Sequence, residues 1–104
     1  MAVTKFQEKV YSFCIQIPWG MVTTYKEISR ALNGSGKVSR AVGNALHKNP
    51  FAPRVPCHRV ICSDGRIGGF ATGTKCKMRM LKKEGITFKA GKVAEMDRIF
   101  YKFL

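Results

Sequence analysis

TYKEISRALNGSGKVSRAVGNALHKNP, residues 24–50, carries two short helical patterns separated by a glycine-bearing break. Thr24 with Glu27 three residues on is a helix start signal, and Tyr25, Ile28, Ala31 and Leu32 supply an apolar face. Asn33-Gly34-Ser35-Gly36 stops this helix. The next begins near Lys37, with Val38, Ala41, Val42, Ala45 and Leu46 on one side, and ends before Asn49-Pro50. Two short helices joined by such a turn read as a helix-turn-helix. The second is lined with small residues: Ser39, Ala41, Gly43 and Ala45. A glycine inside a helix costs about 1 kcal/mol relative to alanine, so something is expected to approach the backbone closely at Gly43. A neighbouring helix or a nucleic-acid groove would serve. Arg40 opens this helix and can point either way.

Working outward, Thr4-Lys5-Phe6-Gln7 has the form of a capping box. Phe6, Val10, Phe13, Cys14 and Ile17 recur at helical spacing, predicting a first helix to about Ile17, ended by Pro18-Trp19-Gly20. Beyond Asn49, the prolines at 50, 53 and 56 exclude regular helix. Val60-Ile61-Cys62 is a short apolar strand candidate, and Asp64-Gly65 a turn. Residues 68–73 form a glycine-rich loop without the spacing of a phosphate-binding loop. Thr74 is expected to cap a fourth helix carrying Lys77, Met80, Leu81 and Glu84, with Gly85 at its end. Val93, Met96, Ile99, Phe100 and Phe103 predict a last helix. The expectation is one mainly α domain over residues 1–104: a winged-helix-like helix-turn-helix with a short β-hairpin or loop around residue 57.

Charge is the informative bulk property. Nineteen Lys and Arg face six Asp and Glu, a formal net charge of +13 on 104 residues. From Ile28 to Ser63 there is no acidic residue but six basic ones: Arg30, Lys37, Arg40, Lys48, Arg54 and Arg59. Such a field favours nucleic acid, with salt-dependent binding, against the plainer readings of solubility alone or an anionic membrane surface. No apolar run is long enough to span a bilayer, and the N-terminus lacks the apolar stretch of a signal peptide. The expectation is a monomer of the cytoplasm (the nucleus in a eukaryote) with no membrane partner. Cys14, Cys57, Cys62 and Cys76 show no CxxC spacing and need not be paired.

Pro56-Cys57-His58-Arg59-Val60 is where reactive chemistry is expected. A free thiol has a pKa near 8.5, so only a few per cent is thiolate at neutral pH; a nearby base and positive charge raise that fraction. Adjacent residues do not automatically put their side chains in contact. Cys57, His58, Cys62 and Cys76 also allow a metal reading, though their spacing matches no usual zinc pattern.

The same five residues resemble the active-site signature of the O6-alkylguanine-DNA alkyltransferases. The resemblance runs from about Phe6 to Gly85 and includes, in order, Thr24-Tyr25, Ser39-Arg40-Ala41-Val42-Gly43, Asn49-Pro50, the signature, Gly68-Gly69-Phe70 and Lys83-Glu84-Gly85. It implies that Cys57 accepts an alkyl group irreversibly, that His58 acts through a water as its base, and that Glu84 orients His58. Asn49 would brace the helix-turn-helix against the active-site loop. Tyr25 would assist nucleotide rotation and donate to guanine N3, while Arg40 would fill the space of the flipped base. The partner implied is double-stranded DNA containing alkylated guanine, entered through the minor groove by the second helix. DNA contacts are expected at Thr24, Ser39, Arg40, Ala41, Gly43 and Arg59. Val60, Phe70, Ala71 and Lys77 would line the substrate pocket, Lys77 having a solvated role as its alternative. No metal and no organic cofactor is implied for the transfer.

Departures from the family pattern bear on range and rate. The chain starts at the helix before the helix-turn-helix, so the family's usual N-terminal α/β domain is expected to be absent. Phe70 stands where tyrosine is common, and Ala71 offers a backbone N–H but no hydroxyl. The nearest rival is a non-catalytic alkyltransferase-like protein that binds alkylguanine; such proteins carry tryptophan or alanine in place of the cysteine, which this chain keeps. A second rival is a plain DNA-binding module whose cysteine is inert.

Overall fold

Helix α1 (Lys5–Cys14) starts on a capping box: Gln7 N–H donates to Thr4 Oγ1 at 3.0 Å and Thr4 N–H to Gln7 Oε1 at 2.9 Å. Regular helix stops at Cys14, short of the expected Ile17. A tighter turn follows, with Ile17 N–H on the Cys14 carbonyl at 3.1 Å, and Ile17 still reaches the core. The computed structural model describes residues 3–33, 38–52, 54–69 and 73–103. Strand β1 (Thr23–Thr24) leads directly into α2 (Tyr25–Asn33), where the Thr24 hydroxyl accepts the Glu27 N–H at 3.0 Å. Helix α3 (Ser39–His47) completes the helix-turn-helix and packs on both α1 and α2.

A 3-10 turn over Cys57–Arg59 feeds strand β2 (Val60–Ile61), which pairs in parallel with β1: Thr23 with Val60, Thr24 with Ile61. The molecule is mainly α, as expected, and of the hairpin or loop expected around residue 57 it is a 3-10 turn that carries Cys57. Helix α4 (Thr74–Lys83) begins after Gly73, so Thr74 lies within its first turn and does not cap it. Gly85, at φ +86, follows its end.

The predicted C-terminal helix is mostly something else. Strands β3 (Phe88–Lys89) and β4 (Lys92–Val93) form an antiparallel hairpin, and only α5 (Met96–Ile99) is helical. Ala90 and Gly91 at the hairpin's tip both have positive φ, 54 and 79°, the geometry of the turn that matches strand twist. After α5 the chain is drawn into extended pairing beside β1. Val22 N–H donates to the Ile99 carbonyl at 2.9 Å and Tyr101 N–H to that of Val22 at 2.7 Å.

Two apolar clusters result. Val10, Cys14, Ile17, Ile28, Val42, Leu46 and Val60 join α1, α2 and α3. Val22, Ile61, Leu81, Ile86 and Val93 join the segment entering β1, β2, α4 and the hairpin. Strand alternation divides β2 between them, Val60 to the first and Ile61 to the second. The cysteine turn is therefore held at the seam of both cores. Among the described residues no helix is long and apolar enough to cross a membrane.

The buried Glu27 carboxylate accepts Arg30 Nε and Nη2, each at 2.8 Å, and the backbone N–H of Phe103 at 2.8 Å, tying the C-terminal segment to α2. Glu27→Ala is expected to lower hydrogen-exchange protection at the Phe103 amide by one to two orders of magnitude, the equivalent of about 1.5–3 kcal/mol for hydrogen bonds to a charged group. Unchanged protection at Phe103 would show that the segment is held by its aromatic packing alone.

Candidate active site

Cys57 opens the 3-10 turn at 9% exposure and lines a cavity of about 220 Å³. Tyr25, at the start of α2, and Gly43, Asn44, Leu46 and His47, on α3, line it too, with Gly69 at the edge of the glycine-rich loop. The backbone before Cys57 is fixed from α3. Asn49 Nδ2 donates to the Val55 carbonyl at 2.9 Å, while its Oδ1 accepts Phe51 N–H at 2.9 Å. Asn49 thus does more than end a helix: it couples α3 to the segment two residues ahead of the thiol.

His58 and Arg59 converge on one carboxylate. His58 Nε2 lies 2.6 Å from Glu84 Oε2, and Arg59 Nε donates to Oε1 at 2.9 Å and Oε2 at 3.1 Å. Gly20 N–H donates to Oε1 at 3.0 Å. The left-handed φ of +84° at Gly20 is one few side chains adopt. Burial works to raise the Glu84 carboxyl, but the His58, Gly20 and Arg59 hydrogen bonds outweigh it and hold it below its usual value. Burial pushes His58 below its usual 6.5, against the opposing pull of Glu84. The pair near neutral pH is thus a carboxylate and a neutral imidazole. With Nε2–H donating to Glu84, the lone pair sits on Nδ1 and is the ring's available base.

Lys77 is fully buried, which excludes the solvated role. Its Nζ donates to the Ile67 carbonyl at 2.6 Å, the Gly69 carbonyl at 3.2 Å and the Tyr25 hydroxyl at 3.2 Å. Burial pushes its pKa down to about 8 and that of Tyr25 up to about 12. Tyr25 is therefore a neutral phenol whose oxygen accepts from Lys77, leaving its own proton to be donated elsewhere. Gly68 makes this packing possible. A Cβ there would lie 3.2 Å from the Tyr25 oxygen and 3.3 Å from Cys62 Sγ, at a φ of +79°.

Several expected contacts stand elsewhere. Arg59 turns inward, with Nη1 on the Ile17 carbonyl at 2.8 Å and the guanidinium 5.7 Å from the centre of the Trp19 ring, so it is not a free phosphate contact. Thr24 is buried and spends its hydroxyl on α2. Val60 is core, not cavity wall. No helix crowds Gly43: a Cβ there would meet the Tyr25 ring at an ordinary 3.9 Å, so the glycine widens the cavity. Arg40 and Ala41 are exposed on α3 and Ser39 is half-buried. Phe70 and Ala71 lie outside the described residues. Asn44 and His47 were not singled out from the sequence, and Leu46 was read only as part of the helix's apolar face, although Gly43, Leu46 and His47 share a helical face by their spacing. Among the described residues no group of three or more His, Cys, Asp and Glu is placed to hold a metal, so the four-ligand alternative is not assembled.

Fold and site together define a helix-turn-helix domain that presents a cavity-lining cysteine beside a buried histidine–carboxylate pair. Residues 5–86 match the DNA-binding domain of the 6-O-methylguanine DNA methyltransferase family, and the chain belongs to that family. It is 46% identical over 82 residues to the methylated-DNA–protein-cysteine methyltransferase of Methanosarcina acetivorans, covering 79% of this chain and 52% of that protein. The chain thus spans about half the length of the curated relatives it matches. Among solved structures it resembles Mycobacterium tuberculosis OGT in complex with DNA, with a TM-score of 0.76, 37% identity, and coverage of 80% of this chain and 51% of that one. It also resembles S. pombe Atl1 in complex with damaged DNA containing O6-carboxymethylguanine, with a TM-score of 0.83, 31% identity, and coverage of 99% of this chain and 100% of that one.

Replacing Glu84 by Gln leaves Arg59 largely buried without its counter-charge, and is expected to destabilise the fold by about 3 kcal/mol. Acid should act in the same direction on the unaltered protein. Below 6.5 the unfolded chain protonates its histidine before the folded one does, so stability falls as pH drops. Glu84, also depressed, adds a further loss below 4.5. Urea midpoints between pH 8 and 3 test this; a profile flat down to pH 4 would contradict a neutral buried His58.

Proposed function

We propose that the chain repairs O6-alkylguanine in duplex DNA by moving the alkyl group onto Cys57. The observation that carries this reading is the cavity itself: the thiol on its wall, a phenol opposite, and the next residue a neutral histidine held by a buried carboxylate. The base must leave the stack to bring its O6 substituent to such a thiol. Helix α3 enters the minor groove, its small residues Ser39, Ala41 and Gly43 allowing close approach, and exposed Arg40 takes the space the base leaves.

The thiol proton passes through a water to His58 Nδ1, and the imidazolium formed is stabilised by Glu84. The thiolate attacks the alkyl carbon; a carbon–sulfur bond forms as the carbon–O6 bond breaks, its electron pair leaving with the guanine. Tyr25 stabilises that developing charge by donating its proton in a hydrogen bond to the base, and Lys77 fixes the direction of that donation. The thioether is inert, so each molecule acts once. The protein works as a monomer, wherever the cell keeps its DNA.

A second reading has one observation in its favour: the match to Atl1 runs the whole length of both chains. It makes the protein a lesion binder without transfer. The thiol at position 57 argues for transfer.

Intact-protein mass spectrometry after mixing reduced protein with an O6-methylguanine duplex separates the two. Transfer adds one CH2 unit, mapping to Cys57 and absent in Cys57→Ala. Tight lesion binding without that gain would make the protein a binder only; no gain and no lesion preference would leave a basic DNA-binding domain. Arg40→Ala is expected to slow transfer from duplex at least tenfold while leaving reaction with free O6-benzylguanine unchanged; equal losses on both substrates would remove Arg40 from base flipping.

A further inference from the structure

Four of the chain's six Asp and Glu side chains are paired with arginines. Glu27 is paired with Arg30, Asp64 with Arg66, Glu84 with Arg59, and Glu95 with Arg98. What remains of the positive charge has little inside the molecule to neutralise it, and its densest concentration is on α4. Lys75, Arg79, Lys82 and Lys83 are all exposed there, and none makes an ion pair among the described residues. Residues 74–83 contain no acid, and Glu84, which follows them, is buried and taken by His58 and Arg59.

At about 100° per residue the four cations fall within an arc of about 100°, on the side away from buried Lys77 and Leu81. Lys75–Arg79 and Arg79–Lys83 are like charges at i,i+4, and Arg79–Lys82 at i,i+3, each of which destabilises an isolated helix. The helix is nonetheless firmly seated: Leu81 fills the second core, and α4 packs against the turn that carries Cys57. A row of uncompensated cations on a rigid helix suits a polyanion. From Lys75 to Lys83 the row runs about 12 Å, against an axial phosphate spacing of about 3.4 Å along one DNA strand, so it can meet about three phosphates.

We infer that the exposed face of α4 is a second DNA-backbone contact, gripping the phosphates of the lesion-bearing duplex in addition to α3. This rests on the reading that the chain works on DNA. The row would hold the protein on undamaged duplex while bases are tested, and would contribute no sequence preference. A row kept only for solubility would look the same but release no counterions.

The test is affinity for an undamaged duplex over a salt series. It compares the full chain, a K75Q/R79Q/K82Q/K83Q variant, and a charge-preserving K75R/R79K/K82R/K83R variant. Each phosphate contact contributes about 0.9 to the slope of log affinity against log salt, so the neutral variant should lose about 3 from that slope and the charge-preserving one almost nothing. Transfer from free O6-benzylguanine should be the same in all three. A neutral variant with the wild-type slope would overturn the inference, as would an equal loss in the charge-preserving variant. Wild-type protein without salt-dependent DNA binding would overturn both this inference and the proposed function. Salt-dependent binding without alkyl transfer would sink the transfer alone and leave the α4 slope to decide.

Discussion

The Glu84 carboxylate is the interaction on which the rest of the arrangement depends. It closes α4, yet its partners come from the α1–β1 connection, through Gly20, and from the cysteine turn, through His58 and Arg59. Arg59 extends the connection to the Ile17 carbonyl at the end of α1. One buried anion thereby ties three segments far apart in the chain. Two charges out of water are tolerable only when every lone pair and proton is satisfied, and no buried side-chain nitrogen or oxygen among the described residues lacks a partner. The same network that meets His58 also holds together the segments carrying it, so under the proposed function altering Glu84 alone would change chemistry and stability together.

The second constraint is mechanical. Val60 and Ile61 face opposite ways into two apolar clusters, and the turn that begins at Cys57 is continuous with them. The Cys57 turn is not a free loop: it is held by β2, by Asn49 on Val55 before it, and by α4. Lys77 does the corresponding work opposite: fully buried, it joins the glycine-rich loop to Tyr25, so that cavity wall and phenol are positioned together.

What was legible in the sequence was local. The Thr4–Gln7 capping box, the Thr24 cap, the two helices and the β2 strand all depend on residues within a few positions of one another. The hairpin at 88–93 was not legible, because its turn is Ala90-Gly91 and not the Asn-Gly or Asp-Gly that announces such turns, and its apolar residues also fit a helical spacing. Arg59, and the solvated alternative for Lys77, were misread for a different reason. A basic residue in a basic chain reads as surface. Only the fold shows that one meets a buried carboxylate and the other three oxygens. The Cys57-His58 pair suggested reactivity from adjacency, but the contact that defines it, His58 with Glu84, spans 26 positions and came from resemblance rather than spacing.

These inward-turned charges change how the basic composition should be understood. A net charge of +13 invites the picture of a uniformly positive surface, but Arg30 and Arg59 are committed to Glu27 and Glu84, and Lys77 is buried. The field that reaches solvent comes from what is left, and its sources include α3 at Arg40 and Lys48 and, more densely, the outer face of α4. The cavity is lined by a thiol, a phenol, an amide and apolar groups, with His47 the only basic side chain among its described lining residues. The cavity itself offers little to an anion and more to a neutral ring, so under the proposed function the phosphates would be held on α3 and the outer face of α4. Under the proposed function, that division of charge lets the surface hold a polyanion while the cavity admits one uncharged base at a time.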